Sequence, residues 1–163
     1  MKRVLVKSVH GAFGYVMEHY YPFGMADEAV EQGALTDTYA VISIQDSHTG
    51  GFGVQFAENQ FCKGVLTLYF DDIVTEVDGV VLFDDEMSEQ IIDFIEKHKT
   101  TVDTLLVHCY AGQSRSRAVG AFAVEMLGGD NSKYFEEGTP NQYIYDVLES
   151  AWVRRKLSML SEE

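Results

Sequence analysis

Cys109 and Arg115 are separated by five residues, Tyr110, Ala111, Gly112, Gln113 and Ser114, and Ser116 follows the arginine. An apolar run, Leu105-Leu106-Val107, leads into His108 and the cysteine, so the stretch reads as a strand, a tight polar loop and the start of a helix. Loop amides at a helix N-terminus converge with the positive end of the helix dipole and form an anion site. A cysteine facing such a site is held as thiolate, the nucleophilic form. An arginine at the far end of the loop can fold back and grip two oxygens of a phosphate as a planar fork. Gly112 has no β-carbon, which permits close backbone approach or a positive φ. Thiolate, amide cradle and guanidinium together describe a site for attack on phosphorus. Residues 110–114 and Arg115 would be its phosphate-binding groups.

His108-Cys109, then Gly112, then Arg115-Ser116 resembles the signature of the cysteine-dependent protein tyrosine and dual-specificity phosphatases. In words that signature is His-Cys, five residues, Arg, then Ser or Thr. Ala111-Gly112 and Ser114-Arg115-Ser116 fit the dual-specificity branch and its bacterial and phage-like relatives. The resemblance implies a central parallel sheet with the phosphate loop at a strand's carboxyl end. It also implies Cys109 as the nucleophile and Arg115 as the group that binds the transferring phosphoryl. His108 would order the loop from behind, and Ser116 would help release the thiolate when a phospho-cysteine is hydrolysed. A direct His108–Cys109 dyad is disfavoured, because adjacent strand residues point to opposite faces.

The leaving group needs a proton, and the same acid would later activate water. Asp71 and Asp72 end an apolar strand ahead of the cysteine, at a point comparable to the general-acid aspartate of related phosphatases. Aligning Phe70-Asp71-Asp72 with the tryptophan-proline-aspartate pattern of the classical tyrosine phosphatases favours Asp72 and leaves Asp71 as the alternative. Asp78, Asp84 and Asp85 are adequately explained as loop charges or a helix cap. The chemistry needs no metal and no cofactor. His10, His19, His48, His98 and His108 show no ligand spacing, and no Gly-x-x-x-x-Gly-Lys-Ser/Thr loop is present.

Positioning these residues calls for an α/β fold. The 163 residues suit a single domain, 1–163, with a sizeable core, and 46% hydrophobic with 23% charged residues is ordinary globular composition. Strands are expected over 3–9, 39–44, 64–70 and 102–108. The Gly- and aromatic-rich stretch 10–24 reads as an irregular loop that could line the pocket. A short helix over 26–32 follows, stopped by Gly33, and residues 48–53 are turn material. Met87, Ile91, Phe94 and Ile95 form one apolar helix face capped by Asp84 or Asp85, with an acidic loop over 73–83 before it. The helix from Ser114 buries Ala118, Val119, Phe122, Ala123 and Met126 and ends at Gly128-Gly129. A polar loop with Pro140 leads to a last helix carrying Ile144, Val147, Leu148 and Ala151. Strands alternating with helices give a central, mostly parallel sheet flanked by helices.

A net charge of −14 disfavours nucleic-acid and anionic-membrane partners, which need Lys/Arg surfaces. Affinity for an anionic substrate must then come from local donors. No apolar run approaches a membrane span, and Lys7 interrupts the N-terminal apolar stretch too early for a secretory signal. Two cysteines give no disulfide framework, so a reducing cytoplasm is expected. Cys62 reads as a small buried hydrophobe, with a protective disulfide to Cys109 the alternative. The expected activity is a phosphomonoester hydrolase acting on phosphotyrosine in a protein or peptide, with phosphoserine and phosphothreonine as further substrates. The alternatives are a phosphobinding module without turnover and a phosphatase of phosphoinositides or RNA 5′-triphosphates. A low-molecular-weight phosphatase or arsenate reductase would carry its Cys-x5-Arg loop near the N-terminus.

Overall fold

The computed structural model describes residues 1–21, 37–48, 51–53 and 55–161. The helix expected over 26–32 lies outside the described residues, as do Phe23, Gly24 and part of the turn expected over 48–53. Among the described residues four strands, β1 (Arg3–Ser8), β2 (Tyr39–Gln45), β3 (Cys62–Tyr69) and β4 (Thr104–Cys109), form one sheet in the order β1-β4-β2-β3. Every neighbouring pair runs parallel. The helices are α1 (Val9–Tyr20), α2 (Asp85–His98), α3 (Arg115–Met126), α4 (Ser132–Glu136) and α5 (Gln142–Ser161).

A parallel sheet covered on both faces needs strands without a polar side, and β2 and β4 are buried at every residue. Alternation along β4 sorts the two faces. Leu105, Val107 and Cys109 join a core built with Ile91, Ile95, Phe122 and Leu148, from α2, α3 and α5. Leu106 joins a second cluster with Ala12, Val16 and Tyr20 of α1 and with Phe61. Because β4 lies between β1 and β2, the loop after Cys109 emerges at the carboxyl edge of the sheet, where open α/β sheets bind ligands.

The stretch expected as a loop after residue 9 is instead helix α1. Gly11 and Gly14 lower its intrinsic propensity, but Val9, Ala12, Val16 and Tyr20 lie along one face and are buried there. Ser8 caps it, accepting from the Gly11 amide at 2.9 Å. The start of the helix meets the loop after Cys109, through the Val9 amide donating to the Tyr110 carbonyl at 3.2 Å. Tyr15 and Tyr20 pack at 6.1 Å between ring centroids within the second cluster.

The remaining elements follow their expected pattern. Asp84 is the cap of α2, accepting from the Met87 amide at 2.9 Å, with Lys97 and His98 in its last turn. The apolar face of α3 is buried as expected at Ala118, Val119, Phe122 and Ala123, and a positive φ of 83° at Gly128 ends that segment. The polar stretch after it contains the short α4, and α5 runs well past Ala151. No described helix is long and apolar enough to cross a membrane. Replacing Ser8 by Ala removes the α1 cap and is expected to lower the unfolding free energy by about 1 kcal/mol in urea titration. An unchanged midpoint would show that the cap contributes nothing to the fold.

Candidate active site

The loop from Cys109 to Ser116 turns tightly between β4 and α3. Gly112 adopts φ +75°, and a Cβ there would come within 2.6 Å of the Ser8 amide nitrogen. Tyr110, Ala111 and Gln113 are exposed, whereas Cys109, Gly112, Arg115 and Ser116 are buried. Ser114 stands at the N-cap of α3 without capping it; its hydroxyl donates instead to Asp72 Oδ1 at 2.7 Å. The first amides of α3 thus keep no side-chain acceptor at the cap, which suits an anion in that place.

Two donors converge on the cysteine sulfur. The Gly112 amide donates to Cys109 Sγ at 3.2 Å, and the Ser116 hydroxyl lies 3.0 Å from it. Both stabilise negative charge on sulfur. His108 points to the opposite face, as strand alternation requires. Its Nε2 is 2.7 Å from Ser43 Oγ, and its Nδ1 is 3.3 Å from the Cys109 carbonyl. The tautomer follows from the donors around it. The Phe52 amide donates to Gln45 Oε1 at 2.7 Å, so the Gln45 Nε2 amide donates to Ser43 Oγ at 2.8 Å. The Ser43 hydroxyl then donates to His108 Nε2, and Nδ1–H faces the Cys109 carbonyl. Burial pushes the His108 pKa below the usual histidine value, and the nearby Arg115 charge acts in the same direction, against the raising effect of the Cys109 carbonyl. The imidazole is a neutral strut behind Cys109.

Arg115 reaches from the first turn of α3 to the ends of β2 and β3. Its Nη1 donates to Asp46 Oδ1 at 2.7 Å and to the Phe70 carbonyl at 2.9 Å. The two neighbouring aspartates after Phe70 part company. Asp71 is buried, and its carboxylate accepts from the Ser47 amide at 3.2 Å, the Ser47 hydroxyl and the Val81 amide at 2.8 Å, with His48 Nδ1 at 3.4 Å. Burial alone would raise its pKa, but the Ser47 and Val81 donors outweigh that and hold it below the usual carboxylate range. Asp72 is exposed and turned to the loop, where Oδ1 accepts from Ser114 and from Asn141 Nδ2 at 2.8 Å.

Asp46, Ser43, Gln45 and Asn141 are absent from the site as read in the sequence. Asn141 joins three parts: its side chain also donates to the Ile73 carbonyl at 3.2 Å, its amide to the Ser114 carbonyl at 3.1 Å, and its Oδ1 accepts from the Ile144 amide at 3.2 Å at the start of α5. The Pro140-Asn141 pair ahead of an apolar-periodic run is a helix-start signal that marks its capping role. Cys62 opens β3 level with Tyr39 and Thr104, at the opposite end of the sheet from Cys109. Five strand residues span roughly 16 Å, far beyond disulfide reach, so the Cys62–Cys109 pairing is not available in this fold. Both thiols are free and buried, and burial pushes the Cys62 thiol up.

The ionised Asp71 is favoured by the fold, so its contribution is present above the unfolded carboxylate pKa of about 3.9 and is lost as pH falls through the lower folded value. Asp71→Asn is expected to cost about 3 kcal/mol at pH 7, as several hydrogen bonds to a buried charge are weakened. The gap from the parent protein should narrow below about pH 4 in denaturant titrations. An equal gap at all pH values would contradict the ionised assignment.

No protein-family model matches this sequence, and no curated protein matches it. Solved structures do. Human DUSP28 superposes with a TM-score of 0.52 at 17% identity, covering 95% of this chain and 94% of that chain. The human tyrosine phosphatase-like serine/threonine/tyrosine-interacting protein gives 0.51 at 20% identity, covering 83% and 89%. The Cydia pomonella PTP-2 phosphatase gives 0.52 at 15% identity, covering 92% and 86%. At these identities the likeness is one of architecture: a parallel sheet with flanking helices. The chain has the fold of the tyrosine and dual-specificity phosphatases.

Proposed function

We propose that this protein hydrolyses phosphate monoesters, phosphotyrosine in a protein or peptide foremost, through a phospho-cysteine intermediate. The observation that carries the reading is the convergence on Cys109 Sγ of the Gly112 amide and the Ser116 hydroxyl, within a loop that ends on a buried Arg115. Sulfur attacks phosphorus, the bond to the ester oxygen breaks, and Asp72 delivers a proton to that oxygen. Water, deprotonated by Asp72, then attacks the phospho-cysteine; the S–P bond breaks, and the Ser116 hydroxyl supports the departing thiolate. Loop amides and Arg115 stabilise charge on the equatorial oxygens. Asp72 suits the acid role because its two donors both bind Oδ1, which leaves Oδ2 to carry the proton. Asp71 is committed to Ser47 and Val81 and acts as a brace for the loops.

An aromatic rim supports phosphotyrosine as the substrate. Tyr110 follows the nucleophile directly, is 59% exposed, and lies 5.5 Å from the Phe52 ring. Phe52 is in turn held by Gln45. A phenyl ester gains an aromatic pair here that an alkyl ester does not. The loop has no lysine, which gives a polyanionic headgroup little to hold. A nucleophilic thiol must stay reduced, which supports a reducing compartment such as the cytoplasm.

The reading is tested by hydrolysis of p-nitrophenyl phosphate and of phosphopeptides with a chelator present. Cys109→Ser is expected to abolish turnover; activity in that variant would mean another nucleophile, and an inactive but folded parent protein would favour a phosphobinding module. Asp72→Asn should slow phosphopeptide hydrolysis by about 10²-fold and p-nitrophenyl phosphate less, because its leaving group needs less protonation. Equal slowing of both substrates would remove Asp72 as the acid. Tyr110→Ala should lower kcat/KM for a phosphotyrosine peptide about 5-fold more than for a phosphoserine peptide, in line with the worth of one aromatic pair. A uniform loss would discard the rim.

A further inference from the structure

Strand β1 lies at one edge of the sheet, and among the described residues no strand pairs with its outer side. The Arg3 amide donates to the Asp103 carbonyl, on the β4 side, at 3.1 Å. Backbone groups alternate sides along a strand. Those of Leu5 and Lys7 therefore follow Arg3 toward β4, and those of Val4 and Val6 face outward. An outward row of amides and carbonyls is a template for another strand. Packing holds this row in place, because the Val4 and Val6 side chains are partly buried against the main core and the Gly120 backbone closes on Val6.

A groove of about 220 Å³ runs along the edge, between residues 4–7 of β1 and the α3–α4 side, where Arg117, Lys133 and Glu137 line it. Lys2 and Arg3, at the start of the strand, pair with Asp103 and Asp37. Lys7, Arg117 and Lys133 form no ion pair among the described residues. Arg117 is nonetheless fixed: Nε donates to the Tyr134 carbonyl at 2.8 Å and Nη2 to the Lys133 carbonyl at 3.1 Å, with the guanidinium 5.4 Å from the centre of the Tyr134 ring. Lys7 lies on the opposite face of the sheet, its Nζ 5.8 Å from the centre of the Tyr15 ring in α1. Cations thus flank the open edge on both faces, in a chain whose net charge is −14. A guest strand directs alternate side chains to those same two faces. Glu137 is the only carboxylate lining the groove. A second copy of the chain is a poor guest, because edge-to-edge pairing would set Lys2, Arg3 and Lys7 of one β1 beside the same residues of the other. An acidic guest meets complementary charge instead.

We propose that the free edge of β1 is a docking site for an extended acidic segment of a partner protein, which adds to the sheet as a strand beside β1. Main-chain hydrogen bonds to Val4 and Val6 supply affinity, and Lys7, Arg117 and Lys133 select carboxylate side chains. The docking is separate from phosphate hydrolysis and does not require Cys109.

The probe is a short synthetic peptide of valine, threonine and glutamate, with glutamates on both strand faces and no phosphate. A second peptide carries lysine in place of each glutamate. Affinity for the full chain is measured by calorimetry, and amide exchange is followed residue by residue by NMR. The glutamate peptide should bind saturably and more weakly as salt rises, and the lysine peptide should not bind. With the glutamate peptide at about ten times its Kd, exchange of the Val4 and Val6 amides should slow about 10-fold, while Leu5 stays as it was. Lys7→Glu combined with Lys133→Glu should weaken binding about 10-fold, with a melting temperature matching the parent showing that the variant is folded.

Binding without protection of Val4 and Val6 would overturn the proposal, as would equal affinity for the two peptides, no binding of the glutamate peptide, or unaltered affinity in the folded charge-reversed variant. Val4 and Val6 amides already protected in the free protein would also overturn it. Protection that grows with protein concentration would assign the edge to a second copy, and protection independent of concentration would assign it to another part of this chain.

Discussion

The site depends first on a backbone contact. The phosphate loop sits so close to the turn between β1 and α1 that a single β-carbon on Gly112 would collide with Ser8 N at 2.6 Å and with the Lys7 carbonyl carbon at 2.7 Å. That packing follows from sheet order. Ser8 is level with Cys109 in the β1–β4 register, so β1 ends where the loop begins, and the Val9 amide takes the Tyr110 carbonyl. On the side away from β1, Tyr110, Ala111 and Gln113 are exposed, and the Gly112 amide donates to Cys109 Sγ. A larger residue at position 112 would break the seat and the curl together, because φ +75° also strains any L side chain.

Around that seat three aspartates of an acidic chain take up different surroundings. Asp71 is buried and saturated with donors, tying the 46–48 segment to Val81. Asp72, one residue on, is exposed and keeps one oxygen unpaired by the donors that hold it. Asp46 is paired with Arg115. Identical side chains diverge because their burial and their hydrogen-bond partners differ. Asn141 ties Asp72 and Ile73, the Ser114 carbonyl and the start of α5 together.

How much of this was legible depended on whether the information was local. The run from Leu105 to Ser116 carries strand, loop, glycine and helix start within a dozen residues, and its geometry came out as the spacing implied. The parallel sheet, the Asp84 cap and the buried face of α3 are likewise local periodicities. Helix α1 was hidden because Gly11, Gly14 and its aromatics look like loop composition; burial of Ala12, Val16 and Tyr20 against the sheet overrides that propensity, and the spacing of Val9, Ala12 and Val16 was the signal available. Asp46, Ser43 and Gln45 could not be read as site residues at all. They lie more than 60 residues from their partners Arg115 and His108, and only the β2–β4 pairing brings them together. The different surroundings of Asp71 and Asp72 were not legible either, since neighbouring residues of one type differ only in what they face.

The central claim is that a covalent bond forms between phosphorus and Cys109. It is tested most directly by acid-quenching the protein during turnover of an isotopically labelled phosphotyrosine peptide and locating the phosphate by mass spectrometry. The account predicts label on the peptide containing Cys109, formed before free phosphate and lost when the quenched sample is held under conditions that hydrolyse a phosphorothiolate. Label on Ser116 or another side chain, or steady phosphate release with no labelled protein, would contradict it.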